Sequence, residues 1–363
     1  MFEGLIQKSE SQIIADMLKG QICQTGKKVS GHLKIAESVN CQEVRLNYFG
    51  IWGVAEGPTL LLNAAIHGNE VVGVEVLREI VDRIDPKELS GNLLVVPIVN
   101  PLAFNFGLRC YPYDNIDMNR IFPGNPDGTI TERIAHTFFD VFVRGADYII
   151  DLHSAEFPDE LIPHIRVRVD NPSREYLSLA ASTGINSVWK GPEVRGMLQT
   201  ESNRIGVPCT TIEIGSAGRI TRDNVDLGTM AVKNVMRILG MLEGTAKIPS
   251  RQIALALNST WLRSPIEGIF KPAINLGGFV KAGDSIGNIV DPTSFEDHNL
   301  TSHLSGIVAG ITRQPIVQPG TRLAIVVDFD RDDLTKHLVE LPDLPNSQPK
   351  ENEYLNTLIN ELN

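Results

Sequence analysis

In the stretch NAAIHGNEVVGVEVL (63–77), His67 and Glu70 stand three apart where an apolar run gives way to a helical pattern. At that spacing the two side chains share one face of a helical turn. Imidazole nitrogen and carboxylate oxygen are both ligands that zinc accepts, and catalytic zinc commonly takes three protein ligands and keeps a position for water. The pair alone equally fits a plainer reading, in which both residues only cap a helix. A third candidate ligand is His153 in YIIDLHSAE, just past another apolar strand. In open α/β sheets, sites form where the carboxyl ends of neighbouring strands converge. Two histidines at two such ends, with a glutamate one turn away, favour one metal ion over two unrelated caps.

Glu213, in TTIEIGS, is an acid inside an apolar strand. A buried carboxylate without a partner is expensive, so it needs either a counter-ion or a task. Burial raises such a group towards the range of a general base, and a nearby cation lowers it again. Two readings follow: a base facing the metal, or an inward acid paired with an arginine. Between the candidate ligands lies LRCYPYDNIDMNRIFPG (108–124), with two arginines, two asparagines and two aspartates among aromatic and proline residues. Arginine offers a planar fork to a carboxylate and asparagine a neutral donor beside it, so this loop suits recognition of an anion. Arg166, Arg168, Arg195 and Arg204 are unranked candidates for a second anion contact. His136 is read as solvated and His164 as structural. His298 and His303 belong to the later β-domain, with the mouth of the site as their secondary reading. Tyr111 and Tyr113 are candidates to close over a substrate, with no spacing argument to choose between them.

The elements that must hold these residues alternate. Strand-like HLKIAES, EVRLNYFGIWG and TLLLNAAIH precede a helix from about 70 to 84, with Val72, Val76, Ile80 and Ile84 at helical spacing. Strands are expected over 92–101, 147–154 and 209–215, and helices over 131–144 (opened by Thr131), 172–184 and 223–243. Strands alternating with helices predict a three-layer α/β/α domain over residues 1–250 with a mixed sheet, which opens with a helix in residues 1–20.

After about residue 250 the pattern turns to strands and glycine turns, and it nearly repeats. EGIFKPAINLGGFVKAGDSIGNIVD (267–291) and SGIVAGITRQPIVQPGTRLAIVVD (305–328) share Gly-Ile, a gap, and Val-x-x-Gly-x-x-Ile/Leu ending in Val-Asp. Two interlocked units closing one small all-β, barrel-sandwich-like domain over 251–332 are expected. That shape is similar to biotinyl/lipoyl-like domains, without a lysine at a hairpin tip in the context a swinging arm requires. Residues 333–363 read as a linker and tail, with a short amphipathic helix at the end.

The 363 residues carry a formal charge of −11, 42% hydrophobic and 21% charged residues. With no basic cluster, nucleic acid and anionic membranes are not expected partners. No run reaches the length of a membrane span and no secretory leader is evident, so a cytoplasmic protein is expected. Cys23, Cys41, Cys110 and Cys209 are dispersed, which disfavours a disulfide framework or a thiolate metal site.

HGNE, the Arg-x-Tyr-Pro-x-Asp-x-x-Asp-Met-Asn-Arg-x-Phe-Pro-Gly loop, DLHS and Thr-x-Glu-Ile-Gly, in that order over most of 55–220, resemble the succinylglutamate desuccinylase/aspartoacylase family of the zinc carboxypeptidase superfamily. The resemblance implies one Zn2+ per chain on His67, Glu70 and His153, with Glu213 as general base and acid. It implies Arg109 polarising the scissile carbonyl, Asn119 and Arg120 on a substrate carboxylate, and Asp117 orienting His67. The expected activity is removal of an acyl group from a small N-acylated amino acid or related amine. A zinc metallocarboxypeptidase acting on peptides is the nearest alternative, and a non-catalytic binding protein on the same fold a further one. A homo-oligomer is left open.

Overall fold

Each apolar run becomes a strand whose alternate side chains feed two cores. In the computed structural model, which describes residues 25–37, 43–170, 172–216, 218–254, 259–328, 338–340 and 344–350, a ten-stranded mixed sheet forms the centre. Its order is β1 (Lys27–Glu37), β2 (Glu43–Trp52), β4 (Ser90–Val96), β3 (Ala55–Ala64), β5 (Tyr148–Ala155), β9 (Cys209–Ser216), β7 (His164–Val167), β8 (Ser187–Lys190), β11 (Arg251–Ala254) and β20 (Leu338–Glu340). Strands β4, β3, β5 and β9 run parallel, whereas β7 returns antiparallel beside β9. The expected helices at either end of the chain lie outside the described residues.

Successive strand residues point to opposite faces, and β3 shows the consequence. Leu60 and Leu62 join a core with Val76 and Ile80 of α1 (Val72–Arg83), while Leu61 packs on the other face with Ile134 and Phe138. A strand covered on both faces has to be apolar throughout. The second face is capped by α2 (Pro101–Phe106), then α3 (Ile130–Phe138), which runs on into a π-helical turn, Phe139–Val143. Helices α4 (Arg174–Ser182) and α6 (Arg222–Ile238) pack with α1, and the short α5 (Leu198–Arg204) lies on the α3 side. None of the described helices is long and apolar enough to cross a membrane.

Two local expectations are corrected. The helix expected to open at Thr131 opens at Thr129: the Thr129 hydroxyl accepts from the Glu132 N–H and the Glu132 carboxylate accepts from the Thr129 N–H, a reciprocal cap. The helix expected over 223–243 stops at Ile238.

The later sheets follow the repeat. The first unit supplies β13 (Gly268–Pro272), β14 (Phe279–Val280) and β15 (Ser285–Val290); the second supplies β17 (Gly306–Thr312), β18 (Ile316–Val317) and β19 (Arg322–Asp328). Within each unit the long strands pair, and each short strand crosses over, β14 to β17 and β18 to β13. Edge strands β12 (Ser259–Arg263) and β16 (Asp297–Thr301) complete two antiparallel sheets. Residues 159–161, which follow β5, form β6 (Asp159–Leu161) and pair with β17. Pairing also runs past position 250, since β11 is part of the large sheet. Where composition gives a linker, Ser347–Lys350 is a strand, β21, paired parallel with β10 (Ala246–Pro249).

A candidate metal centre and its cavity

The register of the large sheet lines up its polar residues. Asn63, Asp151, Thr211 and Arg166 are successive partners across β3, β5, β9 and β7, and one step on, His153, Glu213 and His164 are partners across β5, β9 and β7. Positions two apart on a strand share a face, so both rows point the same way. His153 lies inside β5 rather than just past it, because the strand continues to Ala155.

His67 comes three residues after β3. The exit turns at Ala65, which takes a left-handed φ of 51°, a conformation costing roughly 1 kcal/mol or more for a residue with a side chain. His67 and Glu70 are then held in a turn closed by the Glu70 N–H on the His67 carbonyl, not in the helix itself, which begins at Val72. The glycine between them is required by space: a Cβ at Gly68 would collide with the backbone of Ala103 and Phe104.

Glu70 receives both imidazoles, His67 Nδ1 on Oε1 and His153 Nδ1 on Oε2, each at 2.7 Å. All three side chains are buried, with ligand atoms within 4.8 Å of one another. The far nitrogen of each ring meets another acid, His67 Nε2 to Asp117 at 3.2 Å and His153 Nε2 to Asp151 at 2.9 Å. With each Nε2–H donating to its outer acid, the Nδ1 lone pairs are left facing the Glu70 oxygens. Lone pairs facing lone pairs at such distances need a cation between them, so the donor set fits a divalent ion. Without one, protons do the same work. Burial opposes charge on His67 and His153, but Glu70 and then Asp117 raise His67, Asp151 and then Glu70 raise His153, and the two rings hold Glu70 well below the usual carboxylate range against its own burial.

Glu213 has the counter-ion that the sequence left open. Arg166 Nε donates to its Oε1 at 2.6 Å. Burial pushes the Glu213 carboxyl up, and Arg166 first, with His153 and His164 after it, together outweigh it and leave the group below its ordinary value. Asp117 accepts from Arg109 Nη2 and from the Asn119 N–H, both at 2.9 Å. The Asn119 Oδ1 accepts from the Leu198 N–H at 2.8 Å, which fixes the flip of the amide and leaves its NH2 as the free end. Arg120 Nη1 donates to the Asn119 carbonyl at 2.7 Å.

These groups border one cavity of about 350 Å³ that contains His67, Glu70, His153, Glu213, Arg109, Asn119 and Arg120 in its wall. Of the four unranked arginines it admits Arg166 and Arg168; Arg204 is taken up by Glu193, and Arg195 lies elsewhere. Tyr111 and Tyr113 cluster with Phe106 away from it, and His298 is exposed on β16. His164 is buried beside Glu213, donating from Nδ1 to the Ile162 carbonyl, with burial first among the causes that lower its pKa to about 4. The sequence reading missed Asp151, although it stands two before His153 on the same strand face. It also missed Trp189, and Trp261 and Arg322 of the later sheets, for which no local signal exists.

Residues 56–239 match the family model of the succinylglutamate desuccinylase/aspartoacylase catalytic domain. The N-alpha-acetyl-L-2,4-diaminobutyric acid deacetylase of Halomonas elongata is 27% identical over 283 residues, 75% of this chain and 83% of that protein. Among solved structures, the product-bound ectoine utilization protein EutE (DoeB) from Ruegeria pomeroyi superposes with a TM-score of 0.74 at 25% identity, over 83% of this chain and 95% of its own. A succinylglutamate desuccinylase from Silicibacter sp. TM1040 shares the fold at a TM-score of 0.74 and 24% identity, over 84% and 95% of the two chains.

Proposed function

The chain belongs to the succinylglutamate desuccinylase/aspartoacylase family, and from that premise we propose that it is a zinc-dependent hydrolase of linear amide bonds, removing the acyl group from an N-acylated amino acid or related amine. The observation that carries this reading is the convergence of His67, Glu70 and His153 with Glu213 directly across the strand register from His153. The Halomonas relative, named as a deacetylase of an N-acetylated diamino acid, supports the same class.

His67, Glu70 and His153 would hold the zinc, which when bound would polarise the scissile carbonyl and lower the pKa of the attacking water. The residues of the chain do the rest. Glu213 removes a proton from the water and returns it to the leaving amine; Arg166 keeps that carboxylate ionised and occupies one of its oxygens, so Oε2 is the working atom. Arg109, steadied by Asp117 and lying 3.6 Å from Glu70, offers donors to the oxygen on which negative charge develops. Asn119 and Arg120 hold the substrate's carboxylate. Trp261 and Arg322 enter the cavity wall from the later sheets, which favours a small N-acyl amino acid over a peptide.

The test is zinc content of the purified protein together with a hydrolysis panel of N-acetyl and N-succinyl amino acids, N-acyl diamines and C-terminal dipeptides. Turnover of at least one N-acyl substrate by zinc-loaded protein is expected, with His153→Ala losing both metal and rate. Hydrolysis of the dipeptides alone would make it a carboxypeptidase, and a zinc-free protein without turnover a binding protein.

A further inference from the structure

We propose that Arg168 is a specificity-determining residue that, with Arg120, grips a carboxylate of the substrate, and that position 191 is glycine because the Arg168 guanidinium lies across it. The word substrate rests on the deacylase reading above; the carboxylate site itself does not.

The cavity holds five arginines, and three are already matched. Arg109 pairs with Asp117, Arg166 with Glu213, and Arg322 with Asp159 at 3.2 Å. Arg120 and Arg168 have no ion pair among the described residues; Arg120 spends one donor on the Asn119 carbonyl. Arg168 is half-buried and Arg120 exposed at the rim of the same cavity, so their mutual repulsion is offset when an anion joins them. The crowding is real: burial, then Arg166 and Arg120, pull the Arg168 pKa below its ordinary value. A planar fork from each side matches a carboxylate better than a point charge would.

Arg168 is also positioned in advance. It follows β7 two residues after Arg166, hence on the same face, with Val167 between them turned into the core. Its N–H donates to Gln199 Oε1 at 2.9 Å, and its carbonyl accepts from Thr200 Oγ1 at 3.2 Å, so α5 fixes the backbone on both sides. Gly191 donates its N–H to the Val167 carbonyl at 3.0 Å. A Cβ there would collide with Arg168 Nη1 and Cζ, while the Gly191 φ lies outside the left-handed region. The glycine thus answers to the guanidinium and not to a turn. Because the collision is with the far end of a long side chain, Gly191→Ala displaces the guanidinium without disturbing the fold.

The carboxylate can belong to the amino acid or to a diacid acyl group, and three probes separate these sources: N-acetylalanine, N-succinylmethylamine and the neutral N-acetylmethylamine. Binding to the zinc-loaded full chain is read by stopped-flow fluorescence of Trp189 and Trp261, which line the cavity, and turnover is scored separately. Arg168→Ala is expected to weaken at least one carboxylated probe about 10-fold or more, as for loss of a charge-assisted bond, and to leave the neutral probe unchanged. Arg168→Lys should recover part of the loss, and Gly191→Ala should weaken the same probe at an unaltered melting temperature. The probe that responds identifies the source. Equal weakening of all three probes, no effect on either carboxylated one, or failure of the wild type to bind them would overturn the proposal. Carboxylate-selective binding without hydrolysis of any amide would instead sink the deacylase reading and leave this site standing.

Discussion

Arg166 Nε donates to Glu213 Oε1 at 2.6 Å, so the carboxylate placed across from His153 carries a cation on one oxygen before any substrate arrives. That pairing separates two effects that act on the same acid. Burial favours the neutral form and Arg166 the ionised one, and with His153 and His164 acting in the same direction as Arg166 the ionised form prevails.

Replacing Arg166 with Met removes the largest of the effects that oppose burial. The Glu213 pKa then rises, and because the base must be ionised to accept a proton, the acidic limb of kcat/KM moves to higher pH. The variant should lose proportionally more activity at pH 5 than at pH 8. An acidic limb at the same pH in both proteins would detach Arg166 from the base.

Glu213→Gln keeps the volume and removes the basic oxygen. A fall in kcat of roughly 10²–10⁴-fold is expected for loss of a general base, with zinc still bound at one ion per chain by metal analysis. Retention of full activity would move the base elsewhere.

Asp151 is fully buried, accepts from Asn63 Nδ2 at 2.6 Å and meets His153 Nε2 at 2.9 Å. Removing it frees the ring to turn and take the wrong tautomer. Asp151→Ala should weaken zinc affinity by about 10–100-fold, measured by competition with a chelator, and Asp117→Ala should act in the same direction through His67. Unchanged affinity in both variants would mean that the rings hold their orientation by packing alone.

His164 gives a pH dependence of stability. Its pKa is lowered to about 4 by burial and by Arg166, whereas in the unfolded chain it is near 6.5. Between those values the unfolded state binds the proton and the folded state does not, so stability falls as pH drops from about 6.5 to about 4, by up to roughly 3 kcal/mol. His164→Asn should lose this part of the slope in denaturant titrations, compared with wild type at equal zinc. Parallel slopes would show that the ring titrates normally.

Much of the site was legible in the chain because its signals are local. A buried strand reads as an apolar run, and an ionisable residue at its end interrupts that run, which is how His67, Glu70, His153 and Glu213 stand out together. The fold class followed from the same alternation, and the repeat at 267–291 and 305–328 gave the expectation of two interlocked units, while the pairing of β14 with β17 and of β18 with β13 is a tertiary feature. Cap positions were less legible: Thr129 and Thr131 are equally good residue types, and only the reach of Glu132 back to the Thr129 N–H selects between them.

What the sequence by itself determined is therefore the set of candidate ligands and the elements that carry them, since hydrophobic periodicity is a property of neighbours along the chain. Only the tertiary structure decided which acid each imidazole meets, that Arg166 rather than another arginine neutralises Glu213, and that Trp261 and Arg322 share the cavity. Those choices depend on strand order and register, with β7 inserted antiparallel beside β9 and β6 paired to β17. Register is fixed by burying whole faces of a sheet at once, and no short stretch of residues records it.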